Sequence, residues 1–123
     1  MSIGILPCQG SSNTGVMTSK VMLEKVDGNK YKTVCALGLP LGIEGIIKNG
    51  KKNEKFVALN GCPIKCASKA LESAGIVNYE EINVTELGIQ KTGDMKDLDG
   101  IEKVREELDK VLNGIGEEKC EIL

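Results

Sequence analysis

Short β-branched and aliphatic runs alternate with helix-patterned segments along this chain, and that alternation restricts its fold more than any other feature. Ser2 to Pro7 reads as a first strand, ended by Pro7 and opening into Cys8-Gln-Gly-Ser-Ser-Asn-Thr-Gly15. From Asn13 to Lys25, Val16, Met17, Val21 and Leu23 suggest a helix, with Ser11, Ser12, Asn13 and Thr14 as cap candidates. Asp27-Gly28-Asn29 is a turn. Lys32 to Leu37 reads as the second strand, with Cys35 near its carboxyl end. Gly38 to Asn49 carries Ile43, Ile46 and Ile47 at helical spacing, which fits a short helix.

Lys55 to Leu59 reads as the third strand and runs into Asn60-Gly61-Cys62-Pro63, a helix start with proline at the first helical position. Ile64, Ala67, Leu71 and Ala74 mark one face of that helix, which Gly75 ends. Glu81 to Thr85 is a short fourth strand. Leu98, Ile101, Val104, Leu108, Val111 and Leu112 form the cleanest amphipathic helix, expected to stop at Gly114. Strands alternating with helices favour a mostly parallel sheet of about four strands with helices on both faces, a three-layer α/β architecture. With 123 residues, no internal repeat and no composition break, residues 1–123 read as one domain.

The core must be aliphatic, since Tyr31, Phe56 and Tyr79 are the only aromatics. A net charge of −2 gives no clustered basic surface for a phosphate backbone, so nucleic acid is not an expected partner. The one basic run, Lys48 to Lys55, is broken by Asn49, Gly50, Asn53 and Glu54 and reads as a solvated loop. The apolar stretch Ile3 to Leu6 is too short for a signal peptide or a membrane span, so a reducing cytoplasm is the expected location. The short strand near Glu81 could pair with a second copy of the chain.

In a reducing compartment, five cysteines in so short a chain point to metal ligands or redox groups rather than disulfides. Cys8 follows the first strand, Cys35 ends the second and Cys62 follows the third, with Cys66 one helical turn beyond. In a parallel sheet all carboxyl ends lie on one edge, where such folds place ligands. Four sulfurs from three distant segments would thus meet, and four thiolates suit tetrahedral zinc at about 2.3 Å. A helix opening at Cys62 would favour the thiolate form. Cysteine is also a common small core residue, and Cys35 within Val34-Cys35-Ala36-Leu37 fits that reading equally well. With no histidine in the chain, His-containing zinc sites and Ser-His-Asp or Cys-His catalysis are excluded.

The loop around Gly10, Ser11, Ser12, Asn13 and Thr14 resembles an anion-binding turn at a helix start, although a capped turn explains it as simply. Neither a P-loop nor a dinucleotide fingerprint is present. Cys120, close to the end, reads as an incidental thiol.

Pro7-Cys8-Gln9-Gly10, Cys35-Ala36-Leu37-Gly38 with Gly42-Ile43, and Asn60-Gly61-Cys62-Pro63-Ile64-Lys65-Cys66-Ala67 resemble the DGC-domain proteins, a prokaryotic family named for an Asp-Gly-Cys motif. Val84-Thr85-Glu86-Leu87-Gly88-Ile89 is similar to a further stretch of that family. The resemblance implies a zinc site at Cys8, Cys35, Cys62 and Cys66, and it moves Cys35 towards the ligand reading. Asn60 stands where the motif has aspartate, so an acid-base role there is not implied, while a capping role survives. The expected function is a non-catalytic zinc-binding protein, because a closed four-thiolate site leaves no coordination position open. The alternative is an iron–sulfur cluster, or thiol-redox and sulfur-transfer chemistry at the same cysteines.

Overall fold

The computed structural model describes residues 2–122, with side chains described as far as Gly116, and Cys120 lies outside the residues so described. Strands β1 (Ile3–Pro7), β2 (Tyr31–Lys32), β3 (Lys55–Asn60) and β4 (Tyr79–Asn83) form one sheet in the order β2-β1-β3-β4. Every neighbouring pair is parallel. Helices α1 (Asn13–Lys25) and α4 (Ile101–Ile122) cover one face, and α2 (Glu44–Gly50) and α3 (Cys66–Ser73) cover the other.

The two faces follow from strand periodicity. Ile3 and Ile5 of β1 and Val57 and Leu59 of β3 pack with Met17, Val21, Val104 and Leu108. Leu6, Phe56 and Ala58 point the other way, onto Ala67 and Leu71 of α3. Both central strands are buried almost throughout, so they read as continuous apolar runs rather than as alternating ones.

Register aligns the carboxyl ends. Pro7 lies opposite Leu59, and Asn60 opposite Asn83, so β1, β3 and β4 finish level on one edge. Strand β2 ends earlier, with Lys32 opposite Gly4. The second strand is therefore shorter than the expected Lys32 to Leu37, and Cys35 is in a loop rather than at a strand end. Beyond the strand end, Gly38 packs directly under Ile46, where a Cβ would lie 2.3 Å from Ile46 Cδ1. A short 3-10 turn at Ala36–Gly38 makes that approach.

Three more expectations are corrected. Helix α3 begins at Cys66, not at Pro63, because Lys65 takes a left-handed conformation (φ 60°) and breaks the run from Cys62. Strand β4 lies two residues earlier than Glu81 to Thr85, and Val84–Leu87 forms a 3-10 turn closed by Gly88. Helix α4 passes through Gly114, since buried Ile115 continues the stripe of Leu108 and Leu112. That packing outweighs the helix cost of glycine, about 1 kcal/mol. No helix among the described residues is long and apolar enough to cross a membrane.

Candidate cysteine site at the carboxyl edge of the sheet

Cys8 continues β1 by one residue, its amide donating to the Leu59 carbonyl over 3.0 Å. Its half-buried side chain packs beside the α3 layer, and Sγ lies 3.8 Å from the Thr18 hydroxyl, which donates to the Gly15 carbonyl over 2.7 Å. On the neighbouring strand, Gly61 follows β3 directly against Cys8. A Cβ at Gly61 would stand 3.1 Å from Cys8 Sγ and 3.1 Å from the Gly15 amide nitrogen. Glycine is therefore what allows the segment carrying Cys62 to press against Cys8 and the start of α1.

Cys66 reaches the same place from α3. Cys8 and Cys66 line one cleft of about 290 Å³, together with Pro7, Ala36, Leu37 and Pro40. Cys35 precedes Ala36 in this lining and is exposed, which removes the core reading for it. Cys62 is half-buried, with Lys91 Nζ 3.5 Å from its sulfur. All four thiols are free. Among the described residues, no three Cys, Asp or Glu side chains stand close enough together to hold a metal ion.

Gln9 (φ 56°) and Lys65 (φ 60°) are the only non-glycine residues with positive φ among those described. One immediately follows Cys8 and the other immediately precedes Cys66. Each costs on the order of 1–2 kcal/mol, and such strain concentrates where side chains are aimed for function.

Buried Asn60 organises the start of α3. Its Oδ1 accepts from the amides of Ala67 (3.0 Å) and Ser68 (3.2 Å), and Nδ2 donates to Ser68 Oγ over 2.8 Å. This is a helix cap delivered from the end of β3 rather than from the residue preceding the helix. Ser68 in turn, and Lys65 after it, hold the Glu81 carboxyl below its usual range, outweighing the upward push of burial. Lys65 Nζ pairs with Glu81 Oε2 at 3.2 Å.

The loop from Gly10 to Thr14 directs its polar groups to the start of α1 and to the segment from Gln90 to Thr92. Ser12 Oγ accepts from the Gly15 amide at 3.1 Å and lies 3.2 Å from Thr14 Oγ1. The Val16 amide bonds to the Ser12 carbonyl, and the Asn13 amide to the Thr92 carbonyl. Asn13 Oδ1 accepts from the Thr92 amide, and Nδ2 donates to the Gln90 carbonyl. These bonds support a capped turn that fixes a distant loop. Sequence spacing could not have revealed the Asn13 contacts or the place of Lys91, since both depend on residues far apart in the chain.

A doubly covered parallel sheet whose carboxyl edge gathers free cysteines defines a small α/β domain with a thiol-bearing edge. The chain belongs to the DGC-domain family, whose profile matches residues 4–113. It is similar to the anaerobic and virulence modulator AnvM of Pseudomonas aeruginosa, at 22% identity over 118 residues, covering 95% of this chain and 90% of the relative. No solved structure matches it.

Proposed function

We propose that this protein binds one metal ion, zinc, with Cys8, Cys35, Cys62 and Cys66 as thiolate ligands. The observation that carries the reading is the shared cleft, which Cys8 and Cys66 line from two different segments, with Ala36, the residue after Cys35, also in the lining. The donor set fits, because four thiolates satisfy tetrahedral zinc and none of these sulfurs is committed to a disulfide. Cys35 and Cys62 lie outside the lining of that cleft, so the reading requires them to approach Cys8 and Cys66 when zinc binds. Bound zinc would hold the three segments together and leave no position for substrate, so the role is binding rather than catalysis. A reducing cytoplasm suits it, and a relative named as an anaerobic modulator is consistent with a site built from oxidation-sensitive sulfur.

The pair of half-buried Cys8 and exposed Cys66 also favours a second reading, thiol chemistry without metal, with an iron–sulfur cluster as a further use of the same donors. Purification without oxygen or chelator, followed by metal analysis and a visible spectrum, separates these. Zinc binding predicts about one zinc per chain and no colour. Iron with sulfide and a broad absorbance would establish a cluster instead, and a metal-free protein would leave thiol chemistry.

A further inference from the structure

Cys8 and Cys66 share a cleft whose other walls are mostly apolar. Ala36, Leu37, Pro40 and Ala67 line it, and among the described residues no charged one does. Its volume of about 290 Å³ is at the small end of ligand pockets, which run upward from about 300 Å³. Leu37 lines the cleft yet is 66% exposed, and Leu41, one turn on, is exposed to the same degree. The rim therefore presents apolar side chain to water that a bound small molecule would cover.

Both sulfur-bearing residues are held in place. The Cβ positions of Gly10 and Gly61 lie 3.7 and 3.1 Å from Cys8 Sγ, so backbone packs that sulfur from two sides. Cys66 is the first residue of α3, and Asn60 accepts from the next two amides, those of Ala67 and Ser68. Cys66 is exposed, Cys8 is half-buried, and neither is in a disulfide.

An uncharged, apolar cleft selects a neutral ligand, and two thiols in its wall match the two electrons that reduction of a disulfide takes. We propose that in the metal-free chain this cleft binds small neutral disulfides and reduces them, with Cys66 as nucleophile and Cys8 as resolving thiol. The proposal deepens the thiol reading of these two cysteines and rests on it. Access assigns the order, since the exposed sulfur meets the incoming disulfide first. The Cys66 thiolate attacks one sulfur of the bound disulfide, whose S–S bond breaks as a mixed disulfide forms and one small thiolate leaves. The Cys8 thiolate then attacks the Cys66 sulfur, forming the Cys8–Cys66 bond and expelling the second small thiolate. The two cysteines are oxidised and the small disulfide is reduced to two thiols. The two cysteine protons pass through solvent to the leaving thiolates, and one disulfide is consumed per chain.

The test treats the whole metal-free chain with one equivalent of dipyridyl disulfide, which is neutral, compact and releases an absorbing thione. Two thiones per chain, no adduct mass and a Cys8–Cys66 cross-linked peptide after digestion are expected. The rate should saturate with disulfide concentration. A dicarboxylate aryl disulfide should react about tenfold more slowly, once each reagent is scaled to its rate with free cysteine. Leu37→Ser, which leaves both thiols in place, should raise the half-saturating concentration about fivefold. Cys8→Ser should stop at one thione and one adduct on Cys66, and Cys66→Ser should slow the reaction of Cys8 about tenfold. Rates that rise linearly and ignore both reagent charge and Leu37 would overturn the cleft as a binding site. Adducts without a Cys8–Cys66 bond would overturn the pairing and leave thiol reactivity standing. A chain whose thiols do not react at all would overturn the thiol reading, and this proposal with it.

Discussion

Asn60 Nδ2 donates to Ser68 Oγ over 2.8 Å, joining the end of β3 to the first turn of α3 inside the protein. The same side chain accepts the amides of Ala67 and Ser68, so one residue satisfies three groups at the start of the helix that carries Cys66. Asn60→Ala would take the partner from the two amides, while the Ser68 hydroxyl keeps Glu81, and is expected to lower stability by about 2 kcal/mol. Asn60→Asp keeps both amide bonds and should recover most of that loss. Urea unfolding of the two variants beside wild type checks the order, and an Ala variant within about 0.5 kcal/mol of wild type would contradict the cap.

The close approach at Gly61 makes a second prediction. A methyl group there would meet Cys8 Sγ and the Gly15 amide nitrogen at 3.1 Å each. The Thr14 carbonyl carbon stands 3.2 Å away as well, and because two of these three obstacles are backbone, Gly61→Ala is expected to cost about 1–3 kcal/mol. Denaturant titration measures it, and a neutral result would show that these loops do not pack as described.

Gly114→Ala should act in the opposite direction. Gly114 lies within α4, and nothing stands within 4 Å of a Cβ placed there. Alanine should therefore stabilise the protein by about 0.5–1 kcal/mol through helix propensity and a less flexible unfolded chain. A lower unfolding midpoint would mean that the helix ends at Gly114 after all.

Three carboxylates set the response to acid. Arg105 binds Glu24 through two hydrogen bonds of 2.7 and 2.9 Å and holds its carboxyl below the usual range. The amides of Tyr31 and Asn29 do the same for Asp27, and the Ser68 hydroxyl, followed by Lys65, for Glu81. Each of these groups is more acidic in the folded chain than in the unfolded one. The stability they confer is therefore present above their ordinary values, near pH 4–4.5, and is lost as the pH falls through the lower folded values. All three are solvent-exposed, so each effect is small. The unfolding midpoint should fall from about pH 4.5 towards pH 3, less steeply in the double variant Glu24→Gln and Glu81→Gln. An identical slope in wild type and variant would contradict these assignments.

Much of this architecture is legible in the residue pattern. The apolar runs at Ile3–Leu6 and Phe56–Leu59 read as strands and are the buried central ones, and of the four cap candidates from Ser11 to Thr14 it is Ser12 that caps α1. The departures arise where tertiary contacts overrule local preference. Val34 to Leu37 has strand-forming composition, but Ala36–Gly38 forms a 3-10 turn that seats Gly38 beneath Ile46, a contact that the local pattern does not show. Pro63 suits a first helical position, yet the cap supplied by Asn60 reaches Ala67 and Ser68, so the helix begins at Cys66. At the cysteine edge, residue order predicts four sulfurs together; Cys8 and Cys66 line one cleft, and Cys35 and Cys62 are outside its lining. The contact of Lys91 with Cys62 had no local signal, because it is set by Asn13 from the other end of the chain.

Counting protected thiols tests the metal site most directly. Metal-free protein, with and without one equivalent of zinc, would be treated with a maleimide and weighed by mass spectrometry, alongside a native spectrum of the loaded form. Of the five thiols, four should become protected, at Cys8, Cys35, Cys62 and Cys66, with Cys120 still labelled and one zinc bound per chain. Five thiols labelled equally in both samples, with no zinc retained in the native spectrum, would contradict the site.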